Sequence, residues 1–150
     1  MYSSAQPPLS PDEIEAKVEA RMARKEILTR ADPTQVWIVL DEVVLMRWPS
    51  GASIVKPQLQ TLLDLGDLPN VTVLVVPINH GVHAGRDGSQ TLLSFTGSDD
   101  LGYVEPPGGG LVISDFMRVA SLRRRYDLLL TEALSSDKSA QLIHSRMEGS

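Results

Sequence analysis

A short run of β-branched residues near the middle of the chain constrains the fold more than any other feature of the sequence. In the run VTVLVV, at Val71–Val76, alternate positions face opposite sides of a sheet, and both sets are largely apolar. The run therefore predicts a strand that is covered on both faces and lies at the centre of a sheet. Pro77 ends the strand, because proline has no N–H for the next rung of the ladder. The run QTLLSF, at residues 90–95, predicts the strand that returns beside it.

The length and composition of the chain predict one folded domain. With 150 residues, of which 42% are hydrophobic and 22% charged, the chain is long enough to bury a core without disulfides or metal ions. Residues 1–9 contain two prolines and are interpreted as a tail or linker stub, which leaves residues 10–150 as the domain.

The charge balance and the missing residue types exclude several function classes. A net charge of −5 argues against a surface that binds nucleic acid mainly through phosphates. The absence of cysteine excludes a disulfide framework and a thiolate metal site. No apolar run is long enough for a transmembrane helix, and the N-terminus lacks the order of a signal peptide. We therefore expect a cytoplasmic protein that does not associate with membranes.

The remaining patterns predict an α+β fold, with a mostly antiparallel sheet of about five strands and packed N- and C-terminal helices. The strands are expected near Val36, Val73, Leu93, Val104 and Val112. Helices are predicted over residues 11–28 and 53–67, the second capped by Ser53. A third helix opens at Ser114 and Asp115 and ends near residue 134, and a last short helix starts at Ser136 and frays.

Two of the predicted helices carry apolar stripes that are expected to lie on the core. The first begins with a capping box, and its stripe consists of Ile14, Val18, Met22 and Ala23, after the cap residues Ser10, Pro11 and Glu13. The third has a broad stripe of Phe116, Val119, Leu122, Tyr126, Leu129, Leu130 and Ala133. A basic patch of Arg118 and residues 123–125 lies on the outer side of this third helix.

The loop over residues 79–89 is the predicted functional edge of the domain. Its three glycines allow close approach of a ligand or of another backbone, while a strand on either side holds its ends. We expect ligand or partner contacts from His83, Arg86, Asp87 and Glu105, with Arg86 suited to a carboxylate. The alternative is a tight connection whose glycines only solve a turn.

Metal binding and catalysis are weaker interpretations of the same residues. A metal site of His80, His83 and Asp87 has no helical face to fix the three groups and no visible fourth ligand, so no metal and no other cofactor is expected. The adjacent carboxylates Asp41 and Glu42 are expected to diverge. If the chain is instead a small enzyme of a biosynthetic pathway, His83, Asp87 and Glu105 are its candidate acid–base residues.

Several segments, taken in order, resemble one family. They are ARMARKEILTR, QVWIVLDEVVL, QLQTLLDLGDLPNVTVLVVPINHGVHAGRDGSQTLLSF, YVE with the glycine-rich run after it, and RRRYDLLLTEALSSDKSAQLI. They are similar to actinobacterial, antitoxin-like regulators in which an Xre-type helix-turn-helix precedes a domain of unknown function. The resemblance implies a sensory or protein-interaction domain that follows a DNA-binding module and acts as its dimerisation, effector or partner-protein domain. Its expected partner is a small ligand or a small partner protein, and a homodimer is a further possibility. It also implies that DNA is bound only through an N-terminal helix-turn-helix domain, which we do not find before Ser10.

Overall fold

A computed structural model describes residues 9–47, 53–106 and 109–149. The predictions for the tail at residues 1–8, for the loop at residues 48–52 and for residues 107–108 of the glycine-rich turn lie outside the described residues. Within these ranges the chain is α+β, as predicted. The helices are α1 (Pro11–Ala23), α2 (Val43–Met46), α3 (Val55–Gly66), α4 (Phe116–Glu132) and α5 (Ser136–Glu148). The strands are β1 (Val36–Asp41), β2 (Val71–Val76), β3 (Gln90–Leu93), β4 (Leu101–Val104) and β5 (Leu111–Ile113).

The strands form two small sheets, so the prediction of a single sheet of about five strands was wrong. β1 and β2 are parallel, with Val36 opposite Val71 and Asp41 opposite Val76. β3, β4 and β5 form a separate antiparallel sheet in that order. The difference follows from the connections, because α3 carries the chain back across β1 and β2, whereas short links join the last three strands.

β2 is buried on both faces, as its sequence predicts, but it does not lie between two strands. It ends at Val76, before Pro77. Among the described strands it pairs with β1 alone, so the predicted hairpin with residues 90–95 was wrong. On its other edge, the N–H of Val75 donates to Ser139 Oγ (3.0 Å) and the C=O of Val75 accepts from Leu134 N–H (2.9 Å). The connection from α4 to α5, through Leu134, and the first turns of α5, through Ser139, therefore take the place of a third strand, and these backbone groups stay paired in the interior.

The core lies between β2, α3 and α5. Its buried residues are Leu45, Val55, Leu59, Val71, Val73, Val75 and Ile143. α5 was predicted to be short and frayed, and this was wrong, because the helix has 13 residues and its Ile143 is only 1% exposed. The sequence pattern understated α5 because the buried face also contains a polar residue, Ser139, whose hydroxyl is used by the β2 backbone.

α1 begins as predicted but does not lie on the core. The capping box is present, since Ser10 Oγ accepts from Glu13 N–H (3.2 Å) and Ser10 N–H donates to Glu13 Oε2 (2.8 Å). None of its residues is buried, so the prediction of a core-facing stripe was wrong. After α1, the chain first reaches the core in the 3₁₀ turn Arg24–Leu28. There the side chain of Leu28 packs against the buried cluster, and the C=O of Leu28 accepts from the Asn70 side chain (3.2 Å). An amphipathic pattern predicts that a helix has a contact face, but it does not say what that face contacts.

Two other helix predictions differ in detail. Asp115 caps α4, because its Oδ1 accepts from Arg118 N–H (2.9 Å), as expected. Phe116, placed on the apolar stripe, is 80% exposed, because it is the first residue of the helix and lies at its rim. α3 begins after Ile54 with no side-chain cap, so Ser53 does not cap it.

Candidate functional site

The loop between β2 and β3 is an ordered connection that carries the chain from one sheet to the other. It contains two 3₁₀ turns, Ile78–His80 and Ala84–Asp87. Gly81 has a φ of +83° and Gly88 a φ of +111°, backbone conformations that residues with a Cβ rarely adopt. These two glycines set the direction of the chain on either side of the second turn.

His83 anchors this loop to the end of β1. Its Nδ1 accepts from Gly85 N–H (3.2 Å), so the ring proton lies on Nε2, which donates to Asp41 Oδ2 (3.0 Å). The His83 side chain is only 8% exposed. His80 is exposed, as predicted. Both ring nitrogens of His83 are therefore occupied inside the domain, which fits an anchor better than an acid–base catalyst.

Asp41 is the fixed partner in this contact. Burial raises the pKa of the Asp41 carboxyl, but hydrogen bonds from Val43 N–H and from His83, with the nearby charge of Arg86, lower it more strongly. The net effect is a pKa below the usual value. Asp41 therefore stays ionised and keeps accepting from His83.

Glu42, the neighbouring carboxylate, anchors a different part of the molecule. It is 3% exposed, and its Oε2 accepts from Ile78 N–H (2.8 Å), at the start of the loop. Its Oε1 accepts from the guanidinium of Arg146 on α5, with Nε at 3.0 Å and Nη2 as a second donor. The two adjacent carboxylates diverge, as predicted. The sequence gives no sign of the role of Arg146, which is 104 positions away from Glu42 and belongs to no motif.

A cavity of about 500 Å³ opens between the loop, the β3–β4 pair and α4. Three of the four predicted contact residues line it, namely Arg86, Asp87 and Glu105, whereas His83 does not. Glu105 reaches the cavity because β3 pairs with β4 and places Gln90 opposite Val104. The structure thus brings the loop before β3 next to the end of β4, as the predicted pairing of these two strands suggested.

Some of the charged side chains around the cavity already have a partner within the domain, and others do not. Arg125 Nη1 forms an ion pair with Asp87 Oδ2 (2.7 Å) at the exposed rim of the cavity, so these two charges already have a partner. Glu105 Oε1 accepts from the Tyr103 hydroxyl (3.1 Å), and this hydrogen bond raises the pKa of Tyr103. The guanidinium of Arg86 has no hydrogen-bond or ion-pair partner in the described part of the chain. The charge of Arg86 acts on Asp41, whose pKa it lowers, but no hydrogen bond or ion pair within the described residues holds the guanidinium, so Arg86 is the cation that this cavity can offer to a ligand.

Arg125 is the cavity residue that sequence analysis missed as a site. Arg125 belongs to the basic patch that the sequence predicts, but in the structure the arginines of this patch make different contacts. Arg123 donates to Ser94 Oγ (2.7 Å) and Asp100 Oδ2 (2.8 Å), and so holds the β3–β4 hairpin to α4. Arg124 is exposed and does not line the cavity. Side-chain direction on α4, and not the charge count, separates these roles.

Neither a metal-binding cluster nor a membrane-spanning helix is found among the described residues. Across residues 9–47, 53–106 and 109–149, no three His, Cys, Asp or Glu side chains are grouped so that they could hold a metal ion. In the same ranges, no helix has both the length and the apolar character needed to cross a membrane.

Comparison with known proteins places the chain in a family. The family model described as Domain of unknown function (DUF5753) matches residues 1–145. The chain belongs to this family. No curated protein and no solved structure matches it. For this DUF5753 domain, the link to Xre-type helix-turn-helix regulators and the actinobacterial origin stay predictions.

Proposed function

We propose that this DUF5753 domain is the sensory domain of a helix-turn-helix transcriptional regulator, and that its cavity binds a small molecule with a carboxylate group. The observation that supports the proposal is the guanidinium of Arg86, which lines the cavity and forms no hydrogen bond or ion pair with any described residue, whereas the other basic residue of the lining, Arg125, is already paired with Asp87. A guanidinium accepts a carboxylate through two parallel hydrogen bonds, which gives both affinity and orientation.

The remaining lining suits a small organic ligand. Val104 and Leu122 supply apolar surface, and Gln90 and Glu105 supply polar groups. A volume of about 500 Å³ lies within the range of small-molecule sites. The loop is also held in place before any ligand arrives, since His83 is bound to Asp41, and a preorganised site loses less entropy on binding.

A small partner protein is the second candidate, and one observation favours it. Val82, at the tip of the same loop, is 77% exposed, and an exposed apolar residue beside a charged cavity is a common feature of protein contacts. The enzyme alternative receives less support, because His83 is used as an anchor and is absent from the cavity lining, where Asp87 and Glu105 lie.

A thermal-shift screen tests the ligand proposal. The 150-residue chain is melted with a set of metabolites sorted into carboxylates, amines and neutral compounds, each at about 1 mM. We expect hits among the carboxylates, with an increase in Tm of several degrees, since a ligand at about 100 times its Kd adds about 2.7 kcal/mol of stability. Arg86→Ala should weaken binding of these hits by about 10- to 100-fold, the loss expected for a charged hydrogen-bonding group.

The matched control for this screen is Arg124→Ala, which removes an exposed arginine that does not line the cavity. This variant should keep the full shift in Tm. Carboxylate hits that bind Arg86→Ala and wild type equally would contradict the proposed site, and a screen in which only amines or neutral compounds bind would contradict the ligand class.

The DNA-binding function is expected to require another domain. In a gel-shift assay at low micromolar protein and physiological salt, the 150-residue chain should not retard DNA, because its net charge of −5 gives no useful counterion release. Clear retardation that weakens with added salt would contradict this expectation, and Arg118 and Arg124 would then be the first residues to replace.

A further inference from the structure

Glu105 is the second charged side chain of the cavity that has no oppositely charged partner. It lines the cavity just after β4, and its Oε1 accepts from the Tyr103 hydroxyl (3.1 Å). Among the described residues, no cation lies within ion-pair distance of Glu105, and Oε2 receives no hydrogen bond. Because the tyrosine hydroxyl is neutral, the charge of the Glu105 carboxylate remains available to a ligand.

Close packing around Tyr103 holds this carboxylate in place. A Cβ at position 110 would overlap with the hydroxyl and the ring of Tyr103, so the ring fits there only because residue 110 is glycine. The packing gives a physical reason for one glycine of the run that follows β4. The Tyr103 hydroxyl, fixed in this way, orients the Glu105 carboxylate before a ligand arrives, and a preorganised group loses less entropy on binding.

The charges of the cavity lining balance as one inner pair and one rim pair. Arg125 and Asp87 form the rim pair, with side chains that are 45% and 71% exposed. The remaining cation is Arg86, on the loop before β3, and the remaining anion is Glu105, after β4. β3 and β4 are hydrogen-bonded neighbours, so both groups face the same cavity. A ligand with a carboxylate alone is attracted by Arg86 but repelled by Glu105.

We propose that the ligand of this cavity is an amino carboxylate, whose carboxylate group binds Arg86 and whose ammonium group binds Glu105. This inference rests on the proposed carboxylate site and adds the second charge of its ligand. An ammonium group is compact and has three donors and no acceptor, so it can donate to the free Oε2 of Glu105. The carbon chain between the two charges then faces Val104 and Leu122, the apolar part of the lining.

Matched pairs of small acids test the charge preference. The ¹⁵N-labelled 150-residue chain is titrated at pH 7 and constant ionic strength, and the Kd is taken from its amide shifts. The pairs are β-alanine and propionate, γ-aminobutyrate and butyrate, and ε-aminohexanoate and hexanoate. Molecules of this size are expected to bind with a Kd of about 1 mM.

At one chain length or more, the amino acid should bind about 3- to 10-fold more tightly than the plain acid, as expected for one partly exposed ion pair. The neutral analogue ε-hydroxyhexanoate should bind like hexanoate, because the preference comes from charge.

Four variants assign the preference to its residues. Glu105→Gln should bind the amino acid and the plain acid equally, whereas Arg86→Ala should weaken both. Glu19→Gln is the matched control, because it makes the same change at an exposed glutamate on α1 that does not line the cavity, and it should keep the preference. Tyr103→Phe removes the hydroxyl but keeps the ring beside Gly110, so it should reduce the preference and leave the affinity for the plain acid unchanged.

The outcomes separate this inference from the proposed carboxylate site. If the wild-type chain binds every amino acid and its plain acid equally, or if Glu105→Gln keeps the preference, the ligand class is wrong while the site at Arg86 stands. If no member of any pair binds, or if Arg86→Ala binds both members as tightly as wild type, the carboxylate site is wrong and the inference falls with it.

Discussion

Replacing Val75 with aspartate is expected to unfold the domain. Val75 is 0% exposed and lies in β2, between the core helices α3 and α5. An unpaired charge at such a position costs several kcal/mol, which is a large part of the 5–15 kcal/mol that holds a typical domain together. Far-UV circular dichroism and a urea titration at neutral pH should show loss of the cooperative transition.

The matched control for this substitution is Val112→Asp. Val112 is also a valine in a strand, but it is 62% exposed, so its replacement should change stability by no more than about 0.5 kcal/mol. A Val75→Asp variant that unfolds at the same urea concentration as wild type would show that β2 is peripheral to the core.

The second large effect concerns the buried carboxylate of Glu42. Arg146→Ala leaves Glu42, which is 3% exposed, with only the Ile78 N–H as a fixed partner. Removing one member of a buried ion pair typically costs about 3–5 kcal/mol, and we expect about 2–4 kcal/mol here, because the arginine side chain itself is partly in water. Urea titrations at pH 7 measure this difference.

The same carboxylate makes stability depend on pH. Burial raises the pKa of Glu42, but the hydrogen bond from Ile78 N–H and the guanidinium of Arg146 lower it more strongly, so the net pKa lies below the usual 4.5. A carboxyl group whose pKa is lowered by folding adds stability above its unfolded pKa, and this stability is lost as the pH falls through the folded value. The wild-type domain should therefore lose stability below about pH 4.5.

Glu42→Gln isolates this contribution. The variant should be less stable than wild type at pH 7 and should lose less additional stability between about pH 5 and pH 3, because residue 42 no longer titrates. If Glu42→Gln and wild type lose stability in parallel as the pH falls, Glu42 is not a source of the acid sensitivity.

The parts of the fold that the sequence predicted correctly depend on residues close together in the chain. The capping box at Ser10 and the cap at Asp115 each involve partners three positions apart, and both are present. The β3–β4–β5 sheet follows from short connections. The wrong predictions concern contacts between distant segments. No residue near Val75 in the sequence indicates that its N–H, on the edge of β2 away from β1, donates to Ser139, 64 positions later. Likewise, nothing within α1 indicates that its apolar stripe does not pack on the core.

The candidate site likewise contains some contacts that the sequence predicted and others that it did not. Arg86, Asp87 and Glu105 could be placed near one another because a glycine-rich loop leads directly into the strand that pairs beside Glu105. The anchoring of the loop could not be foreseen. His83 and Asp41 are 42 positions apart, and each residue has several common uses. Only the folded β1–β2 pair brings the end of β1 to the loop that follows β2.

Backbone amide shifts in ¹H–¹⁵N NMR spectra test the proposed ligand site most directly. The labelled 150-residue chain is titrated with the carboxylate that raises its Tm most in the screen. We predict that the largest shifts fall at Ala84–Asp87 and at Gln90, Glu105 and Arg125, which surround the cavity, and that Arg86→Ala removes them. Shifts centred instead on the separate groove between α3 and α5, at Leu63, Ala140 and His144, would contradict the proposed site.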